Sequence, residues 1–255
     1  MNNTITILFE DEEIIVIDKP AGMIVNRAET TKGVLTVQDW AEEKIGINEQ
    51  ELDFNDALEY DPVREFFNRG GVVHRLDKET SGVLLLAKNP ETFVALQKQF
   101  KERTVKKVYR AFAHGRIKPE AGEIDVPVGR LPWNRNRFGI LPGGRESKTL
   151  YKVLQYYQQE KPKEILSYVE LYPQSGRTHQ IRVHLKYINH PIFSDFLYAG
   201  RKTSRTDRQV LPRVFLHAAK ITFFHPITNR EVSFESPLPD ELSDVLQQFT
   251  PIPMI

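Results

Sequence analysis

The chain has 255 residues, a formal net charge of +1 and no cysteine. Its length is sufficient to bury a large core, and the lack of cysteine excludes a disulfide framework, a thiolate nucleophile and cysteine-ligated zinc or iron–sulfur sites. No stretch approaches the roughly 18 consecutive apolar residues of a membrane span, and the N-terminus lacks the pattern of a signal peptide. We therefore expect a soluble, cytoplasmic protein that uses no membrane, metal or other cofactor.

The near-neutral total charge hides an uneven distribution along the chain. Residues 39–65 are strongly acidic, whereas three later stretches are basic: residues 98–118, 130–148 and 201–213. A concentrated positive surface is typical of proteins that bind nucleic acid. We expect the basic stretches to form one positive rim and the acidic segment to point away from it. For each stretch the alternative is an ordinary solvated surface without a partner.

The first predicted elements are short strands. Residues 4–9 alternate between polar and apolar side chains, and residues 14–17 form an apolar run, which predicts two strands. Pro20 and Gly22 end the second run, and we expect a third strand at residues 23–25.

Residues 36–69 combine one helical pattern with an acidic stretch. Apolar side chains at Val37, Trp40, Ala41 and Ile45 have the spacing of a short amphipathic helix. The rest of the segment is acidic and weakly patterned.

The centre of the chain, residues 70–88, combines two apolar runs with a group of charged side chains. Val72 and Val73 precede His74, Arg75 and Asp77, and a second apolar run occupies 83–87. This pattern predicts a strand, a polar loop and a second strand, an arrangement in which a rigid scaffold presents reactive groups. From these residues alone, a turn capped by Asp77 and a surface ion pair with Arg75 is an open alternative.

The later elements follow from caps, breakers and periodicity. Asn89 and Pro90 predict the start of a helix. The other predicted elements are a strand at 105–113 carrying Tyr109, a long functional loop at 130–144, a strand at 165–172, a helix with Ile181, Leu185 and Ile188 on one face, a hairpin formed by 221–224 and 231–235, and a last helical turn after Pro239.

A second polar motif, Ser-Gly-Arg-Thr-His-Gln-Ile-Arg, occupies residues 175–182. Together with His-Arg-Leu-Asp at 74–77, Thr-Ser-Gly at 80–82 and Tyr109, it resembles the RluA-type pseudouridine synthases, which isomerise uridine within RNA. The resemblance runs from Asp-Lys-Pro-Ala-Gly-Met at 18–23 to the segment 216–226. The chain differs at Asn26, where members often have histidine, and at 193–195, where Phe-Ser-Asp replaces the usual Gly-Asp.

The resemblance implies a fold. We expect an α+β protein in which residues 1–255 form one catalytic domain on a long mixed, mainly antiparallel sheet, with flanking helices and a central cleft. Residues 36–69 form the acidic insertion. Because the first predicted strand begins near residue 4, we expect no separate N-terminal RNA-binding domain.

The resemblance also implies catalytic roles. Asp77 is the expected nucleophile, since a carboxylate that attacks C6 of the base or C1′ of the sugar divides one difficult step into easier ones. Arg177 is expected to keep Asp77 ionised. Tyr109 is expected to stack on the uracil and to accept the C5 proton, and Ile181 to pack on the other face of the base.

RNA binding must expose the target base, because a stacked base cannot be reached. We expect Arg75 to hold the opened position and His74 beside it to bind the substrate as well, although a permanent ion pair is the alternative for Arg75. In the loop at 130–144, Arg135 and Arg137 are expected to contact RNA, with Trp133 and Phe138 stacking on bases. The alternative is a loop that packs back and buries Trp133.

Other functional classes fit less well. His179 and His184 lack the spacing of a zinc-binding helix and are expected to be core or hydrogen-bonding side chains. Two alternatives stay open, namely an RNA-binding module without catalysis and a glycoside hydrolase that uses Asp77 with a second carboxylate. The preferred hypothesis is a monomeric RNA pseudouridine synthase acting on ribosomal or transfer RNA.

Overall fold

The computed structural model describes residues 4–47, 61–134, 136–159 and 163–254. The chain divides into two compact units: unit 1 is Met1–Val105 with Lys220–Ser236, and unit 2 is Lys106–Ala219 with Pro237–Ile255. None of the helices in the described residues is long and apolar enough to cross a bilayer.

The described residues contain strands and helices in alternation. The strands are β1 (Thr6–Glu10), β2 (Ile14–Lys19), β3 (Ser81–Ala87), β4 (Lys106–His114), β5 (Ala121–Asp125), β6 (Val128–Arg130), β7 (Phe138–Ile140), β8 (Lys148–Gln159), β9 (Glu164–Pro173), β10 (Leu216–Phe224), β11 (Glu231–Glu235) and β12 (Thr250–Ile252). The α-helices are α1 (Val37–Ile45), α2 (Pro62–Asn68), α3 (Pro90–Lys101), α4 (Gln180–Tyr187), α5 (Arg201–Asp207) and α6 (Asp240–Gln247).

Unit 1 is built on the strand order β1-β2-β3-β10, with β11 paired to β10. The β1–β2, β2–β3 and β10–β11 pairs are antiparallel. β2 and β3 are almost entirely buried, which explains why both appear in the sequence as continuous apolar runs. Phe93 and Leu96 of α3 pack into the same core, and Asn89 caps this helix by accepting the Thr92 N–H at 2.8 Å, as predicted.

The predicted helix at 37–45 is confirmed as α1, but the predicted strand at 23–25 is wrong. Thr36 begins α1 with a capping box, in which the Asp39 carboxylate accepts the Thr36 N–H at 2.7 Å. The carbonyl oxygens of Ile24 and Val25 accept the first backbone N–H groups of this helix, each at 2.9 Å. Their backbone therefore caps a helix and does not pair with a strand.

The predicted strand at 72–73 is also wrong, because Val72 forms only a single bridge with Leu86. Gly70 and Gly71 have left-handed φ values of 56° and 73°, so the chain turns just before Val72. A Cβ atom on Gly71 would lie 2.2 Å from the carbonyl oxygen of Ala87, which only glycine avoids. The backbone of Gly71 thus passes close to that of Ala87, and residues 72–73 do not form a strand.

The predicted insertion is only partly described. Residues 48–60 lie outside the described residues, as does half of the acidic charge of the segment. Residues that follow them form α2, which the sequence analysis did not predict; Asp61 caps this helix and Pro62 occupies its first position.

Unit 2 has the strand order β4-β9-β8-β12, with β5 paired to β8. The β4–β9, β8–β9, β5–β8 and β8–β12 pairs are antiparallel. Phe112 of β4 lies at the centre of the core, with the rings of Phe193, Phe215 and Phe249 at 5.2–5.8 Å. The predicted α+β class with a mainly antiparallel sheet and flanking helices is confirmed; the single domain and the central cleft stay predictions.

Two predicted loops of unit 2 contain regular structure. Residues 130–144 include most of a short antiparallel hairpin, in which Arg130 of β6 pairs with Phe138 of β7. Residues 201–213 begin with α5, and Arg213 is buried, with its Nε donating to Glu241 at 2.6 Å. Arg213 is therefore a core residue and not part of a basic surface.

A buried histidine ties three segments of unit 2 together. His114 of β4 contacts Glu164 through Nδ1 at 3.1 Å and Asp207 through Nε2 at 3.0 Å. Burial disfavours the charged ring, but the hydrogen bonds and charges of both carboxylates outweigh it and raise the His114 pKa to about 9. Asp207 also accepts the Ser194 N–H at 3.0 Å, so the end of α5 is fixed to the core.

This arrangement predicts a pH-dependent stability. Because the folded pKa lies above the ordinary value of 6.5, the contribution of His114 is fully present below pH 6.5 and is lost as pH rises through 9. His114→Gln should lower the free energy of unfolding by about 2–3 kcal/mol at low pH and by much less above pH 9. Denaturant titrations of the parent protein and of His114→Gln, at a pH below 6.5 and at a pH above 9, measure this difference. An equal difference at both values would contradict the ion-pair account.

Candidate active site

In unit 1 the candidate residues lie on the loop that carries Asp77. Leu76 is buried and anchors the loop, whereas the Asp77 side chain is only half-buried. The Thr80 N–H donates to the Asp77 carbonyl at 3.0 Å and closes a turn. The carboxylate is therefore carried by a short, internally bonded loop that leads directly into the buried β3.

A buried lysine holds this loop from the other side. Lys19, at the end of β2, is fully buried, and its Nζ lies 2.7 Å from the carbonyl oxygen of Pro20 and 2.9 Å from that of Met23. The same ammonium lies 3.3 Å from the carbonyl oxygen of Lys78, which also accepts the Gly22 N–H at 2.8 Å. A buried charge is tolerated only when hydrogen bonds compensate its lost hydration. The turn at 20–23 and the residue next to Asp77 are thus held at one point.

No chemistry was predicted for Lys19. The available signal was a charged side chain at the end of an apolar strand and directly before a proline turn. Such a lysine is expected to be exposed, and only the folded backbone places carbonyl groups around it.

His74 has internal contacts within unit 1. Its Nε2 accepts the backbone N–H of Leu85 at 3.0 Å, and its ring stacks on Phe100 with centroids 4.9 Å apart. An accepting Nε2 requires an unprotonated nitrogen at that position. These contacts give His74 a role in orienting the loop, and its contact with substrate stays a prediction.

Arg75 and Thr80 have unsatisfied capacity for hydrogen bonding. Arg75 is exposed and forms no ion pair among the described residues. The Thr80 side chain is buried, and within the described part of the chain its hydroxyl has no hydrogen-bond partner. An unsatisfied buried hydroxyl costs about 1–3 kcal/mol, so such groups call for an explanation, which at a reactive site includes a bound ligand.

In unit 2 the first candidate residue lies on β4. Tyr109 is half-buried, pairs with Leu171 of β9 and packs against the unit 2 core. Lys107 precedes it by two residues and shares its face of the strand. Its Nζ donates to the Ser175 carbonyl at 3.2 Å, and burial lowers the Lys107 pKa to about 8. Lys107 therefore joins the strand of Tyr109 to the turn that carries Arg177.

Gln180 fixes the turn itself. Its Oε1 accepts the Ser175 hydroxyl at 2.7 Å and the Arg177 N–H at 3.0 Å. Its Nε2 donates to the Lys148 carbonyl and to the Thr149 hydroxyl of β8, both at 3.0 Å. One amide therefore sets the backbone at Arg177 relative to a core strand. Neither Lys107 nor Gln180 was predicted to have a role at the site.

Arg177 and Ile181 differ in accessibility. Arg177 is half-buried, and its Nε donates to the Glu146 carbonyl at 3.2 Å. Ile181, in the first turn of α4, is buried in the unit 2 core. The structure thus brings His74, Arg75 and Asp77 together in unit 1, and links the segments of Tyr109, Arg177 and Ile181 in unit 2.

The hairpin of β6 and β7 presents an exposed tryptophan. Trp133 is 75% exposed, so the alternative in which the loop packs back and buries it is wrong. Arg137 is exposed as well, whereas Arg135 lies outside the described residues. Phe138 is packed between His179, at 5.5 Å, and the guanidinium of Arg130, at 5.1 Å, so it is not free to stack on a base.

The remaining basic side chains are only partly available to RNA. Lys148 forms ion pairs with Glu123 and Asp125, and Arg110 pairs with Glu170. These pairs, together with buried Arg213, reduce the predicted positive surface.

Two sequence features have structural explanations. His184 is buried and bonded to the hydroxyls of Thr149 and Ser147, which confirms a hydrogen-bonding histidine, and burial lowers its pKa. Ser194 has a left-handed φ of 62°, which explains why the resembled family usually has glycine there. Across the described ranges, no group of three or more His, Cys, Asp or Glu side chains is arranged to hold a metal ion.

The contacts of Lys19 predict the effect of removing its charge. Lys19→Met keeps the apolar stem but leaves buried carbonyl oxygens without a donor, at about 1–3 kcal/mol for each one left unsatisfied. We expect a lower melting temperature and faster hydrogen exchange at the Gly22 amide, which donates to Lys78. Lys220→Met, which removes a surface ion pair with Glu235, is the control and should change neither value. Unchanged protection of Gly22 in the Lys19 variant would contradict this account.

Comparison with known proteins identifies relatives along most of the chain. A family model described as RNA pseudouridylate synthase matches residues 13–187. Ribosomal large subunit pseudouridine synthase D of Nitrosomonas europaea is 37% identical over 252 residues, covering 97% of this chain and 66% of the relative. The protein of the same name from Neisseria meningitidis serogroup B is 36% identical over 247 residues, covering 94% and 60%. The uncharacterized RNA pseudouridine synthase YlyB of Bacillus subtilis is 35% identical over 241 residues, covering 94% and 71%.

The fold also matches solved structures. Human RNA pseudouridylate synthase domain containing 1 superposes with a TM-score of 0.72 at 24% identity, covering 99% of this chain and 91% of that one. Human RNA pseudouridylate synthase domain containing 4 gives 0.67 at 24% identity, covering 95% and 92%. The chain spans less than two thirds of the length of the two relatives named synthase D. The family model covers more than half of the chain and confirms the predicted RluA-type resemblance, so the chain belongs to the RNA pseudouridylate synthase family.

Proposed function

We propose that the chain isomerises uridine in RNA to pseudouridine. The observation that carries the proposal is a half-buried carboxylate, Asp77, on a loop held by the buried ammonium of Lys19, in a chain of this family. The reaction breaks the bond between C1′ of the sugar and N1 of the base and forms one between C1′ and C5. The C5 hydrogen is released to solvent and N1 gains a proton, so the reaction needs no co-substrate.

Asp77 is the proposed nucleophile. A carboxylate that adds to C6 or C1′ forms a covalent intermediate in which the base can turn before the new bond forms. Positioning accounts for much of the rate of such a step, because a well-oriented group avoids the entropy cost of an encounter. The loop contacts through Leu76, Thr80 and Lys78 supply that positioning.

The other roles follow the family pattern. Arg177 is proposed to keep the nucleophile ionised, Tyr109 to stack on the uracil and accept the C5 proton, and Ile181 to pack on the base. The bonds of Gln180 support this assignment for Arg177, since they fix the backbone that carries the guanidinium.

RNA binding is proposed to involve base flipping. Arg75 is exposed and its planar guanidinium is suited to stack where the base has left, while its charge binds phosphate. Arg135, Arg137 and the exposed Trp133 are proposed to hold the RNA from the hairpin, the tryptophan by stacking on an unpaired base. His74 is proposed to support Arg75 through its place in the loop.

The names of the synthase D relatives indicate ribosomal RNA of the large subunit as the substrate. We propose ribosomal RNA for this chain, with transfer RNA as the alternative. A monomer working in the cytoplasm stays our expectation.

The Asp77 assignment predicts a selective loss of activity. Asp77→Asn keeps the size of the side chain but not its nucleophilicity, so the release of tritium from RNA labelled at uridine C5 should fall by orders of magnitude. RNA affinity should change little. Asp244→Asn, on the exposed face of α6, is the control and should behave as the parent protein.

The same assay on the parent protein distinguishes the proposed isomerase from the two alternative functions. RNA binding without tritium release by the parent would indicate a binding module, and release of free uracil would indicate a hydrolase. Near-normal turnover by Asp77→Asn would show that another group is the nucleophile.

A further inference from the structure

One tyrosine hydroxyl joins the hairpin of β6 and β7 to the end of the Arg177 turn. The Phe138 N–H of β7 donates to the Tyr198 hydroxyl at 3.0 Å. The same hydroxyl lies 2.9 Å from Nδ1 of His179, the residue that precedes α4 and follows Arg177 by two positions. Both segments therefore contact a single oxygen atom.

Tyr198 is itself held firmly. Asp195 is fully buried, and its Oδ1 accepts the backbone N–H groups of Leu197 at 3.0 Å and Tyr198 at 3.1 Å. The same carboxylate binds Arg182 through two bonds of 2.7 Å and 2.9 Å, and the guanidinium of Arg182 lies 5.1 Å over the Tyr198 ring. The tyrosine is therefore a fixed point to which the hairpin is attached.

His179 completes the connection on the side of the turn. Its backbone has a left-handed φ of 57°, and its carbonyl accepts the Val183 N–H at 2.9 Å, in the first turn of α4. Its ring meets Phe138 edge-on at 5.5 Å and Tyr198 at 5.7 Å. A displacement of the hairpin thus acts directly on the residue that sets the path from Arg177 into α4.

The Tyr198 hydroxyl makes both hydrogen bonds of this contact. It accepts the Phe138 N–H and also bonds to Nδ1 of His179. Phenylalanine at position 198 would keep the ring and its packing but break both hydrogen bonds. The contribution of the hydroxyl can therefore be separated from that of the ring.

We propose that Tyr198 is a positioning residue that couples the hold of the hairpin on RNA to the placement of Arg177. The inference rests on the proposed function and deepens it, since it assigns a substrate-dependent role to a residue with 8% exposure that lies beneath the binding surface. The exposed hairpin, with Trp133 and Arg137 on its loop, contacts the RNA strand. Tyr198 and His179 link the position of the RNA-bound hairpin to the position of the turn that carries Arg177.

A double-mutant cycle tests the coupling. Tyr198→Phe should lower kcat/KM by about 3- to 10-fold, as expected for the loss of hydrogen bonds of this kind. Trp133→Ala should weaken RNA binding in the parent protein, and its effect should be clearly smaller when Tyr198→Phe is present. Tyr187→Phe makes the same chemical change at an exposed tyrosine of α4 and should leave the effect of Trp133→Ala unchanged. Strictly additive effects of Tyr198→Phe and Trp133→Ala would overturn the proposal.

Two further measurements do not depend on catalysis. Hydrogen exchange at the Phe138 amide should accelerate in Tyr198→Phe and not in Tyr187→Phe, and the cycle can be repeated on RNA affinity alone.

His179→Asn tolerates the left-handed backbone and keeps a polar atom near the Nδ1 position, so it should retain most of the coupling. If the parent protein binds RNA without isomerising it, the proposed function fails while the affinity cycle still tests the coupling. Unchanged exchange at Phe138, or additive effects on affinity, would refute the coupling itself.

Discussion

The ammonium of Lys19 is the contact on which the Asp77 loop of unit 1 depends. It is fully buried, and carbonyl oxygens from two separate segments surround it, one of them belonging to the residue next to Asp77. A charge without water requires such a shell, so the two segments must be in place together. The position of the Asp77 carboxylate therefore depends on the hydrogen bonds that compensate the buried charge of Lys19. The strands β2 and β3 supply the rigid base.

Unit 2 uses side-chain hydrogen bonds for the same purpose. Gln180 attaches the Arg177 turn to β8, Lys107 attaches it to β4, and Tyr198 connects its end to the hairpin. Orienting reacting groups can supply a large part of a rate enhancement, because the entropy cost of bringing them together is met in advance. Gln180, Lys107 and Tyr198 thus set the geometry of the segment that carries the proposed site residue Arg177.

The sequence was informative where local rules decide the structure. The cap at Asn89, the apolar spacing of α1 and the buried runs of β2 and β3 identified their elements, and the ordered motifs identified Asp77, Tyr109 and Arg177 as candidates. It was misleading where tertiary hydrogen bonds override a local pattern, as at 23–25 and 72–73. Lys19, Gln180 and Tyr198 could not be assigned, because their roles depend on backbone groups brought close only by folding. The polar helix α5 has no apolar periodicity that would have revealed it.

The central claim is that this chain forms pseudouridine in RNA through Asp77. The most direct measurement maps pseudouridine in total RNA from cells that lack the gene and from the same cells carrying either the parent gene or the Asp77→Asn variant. We expect one or a few uridines, in ribosomal RNA, to lose the modification in the deletion strain and to regain it only with the parent gene. An unchanged map in the deletion strain, or full restoration by the variant, would contradict the account.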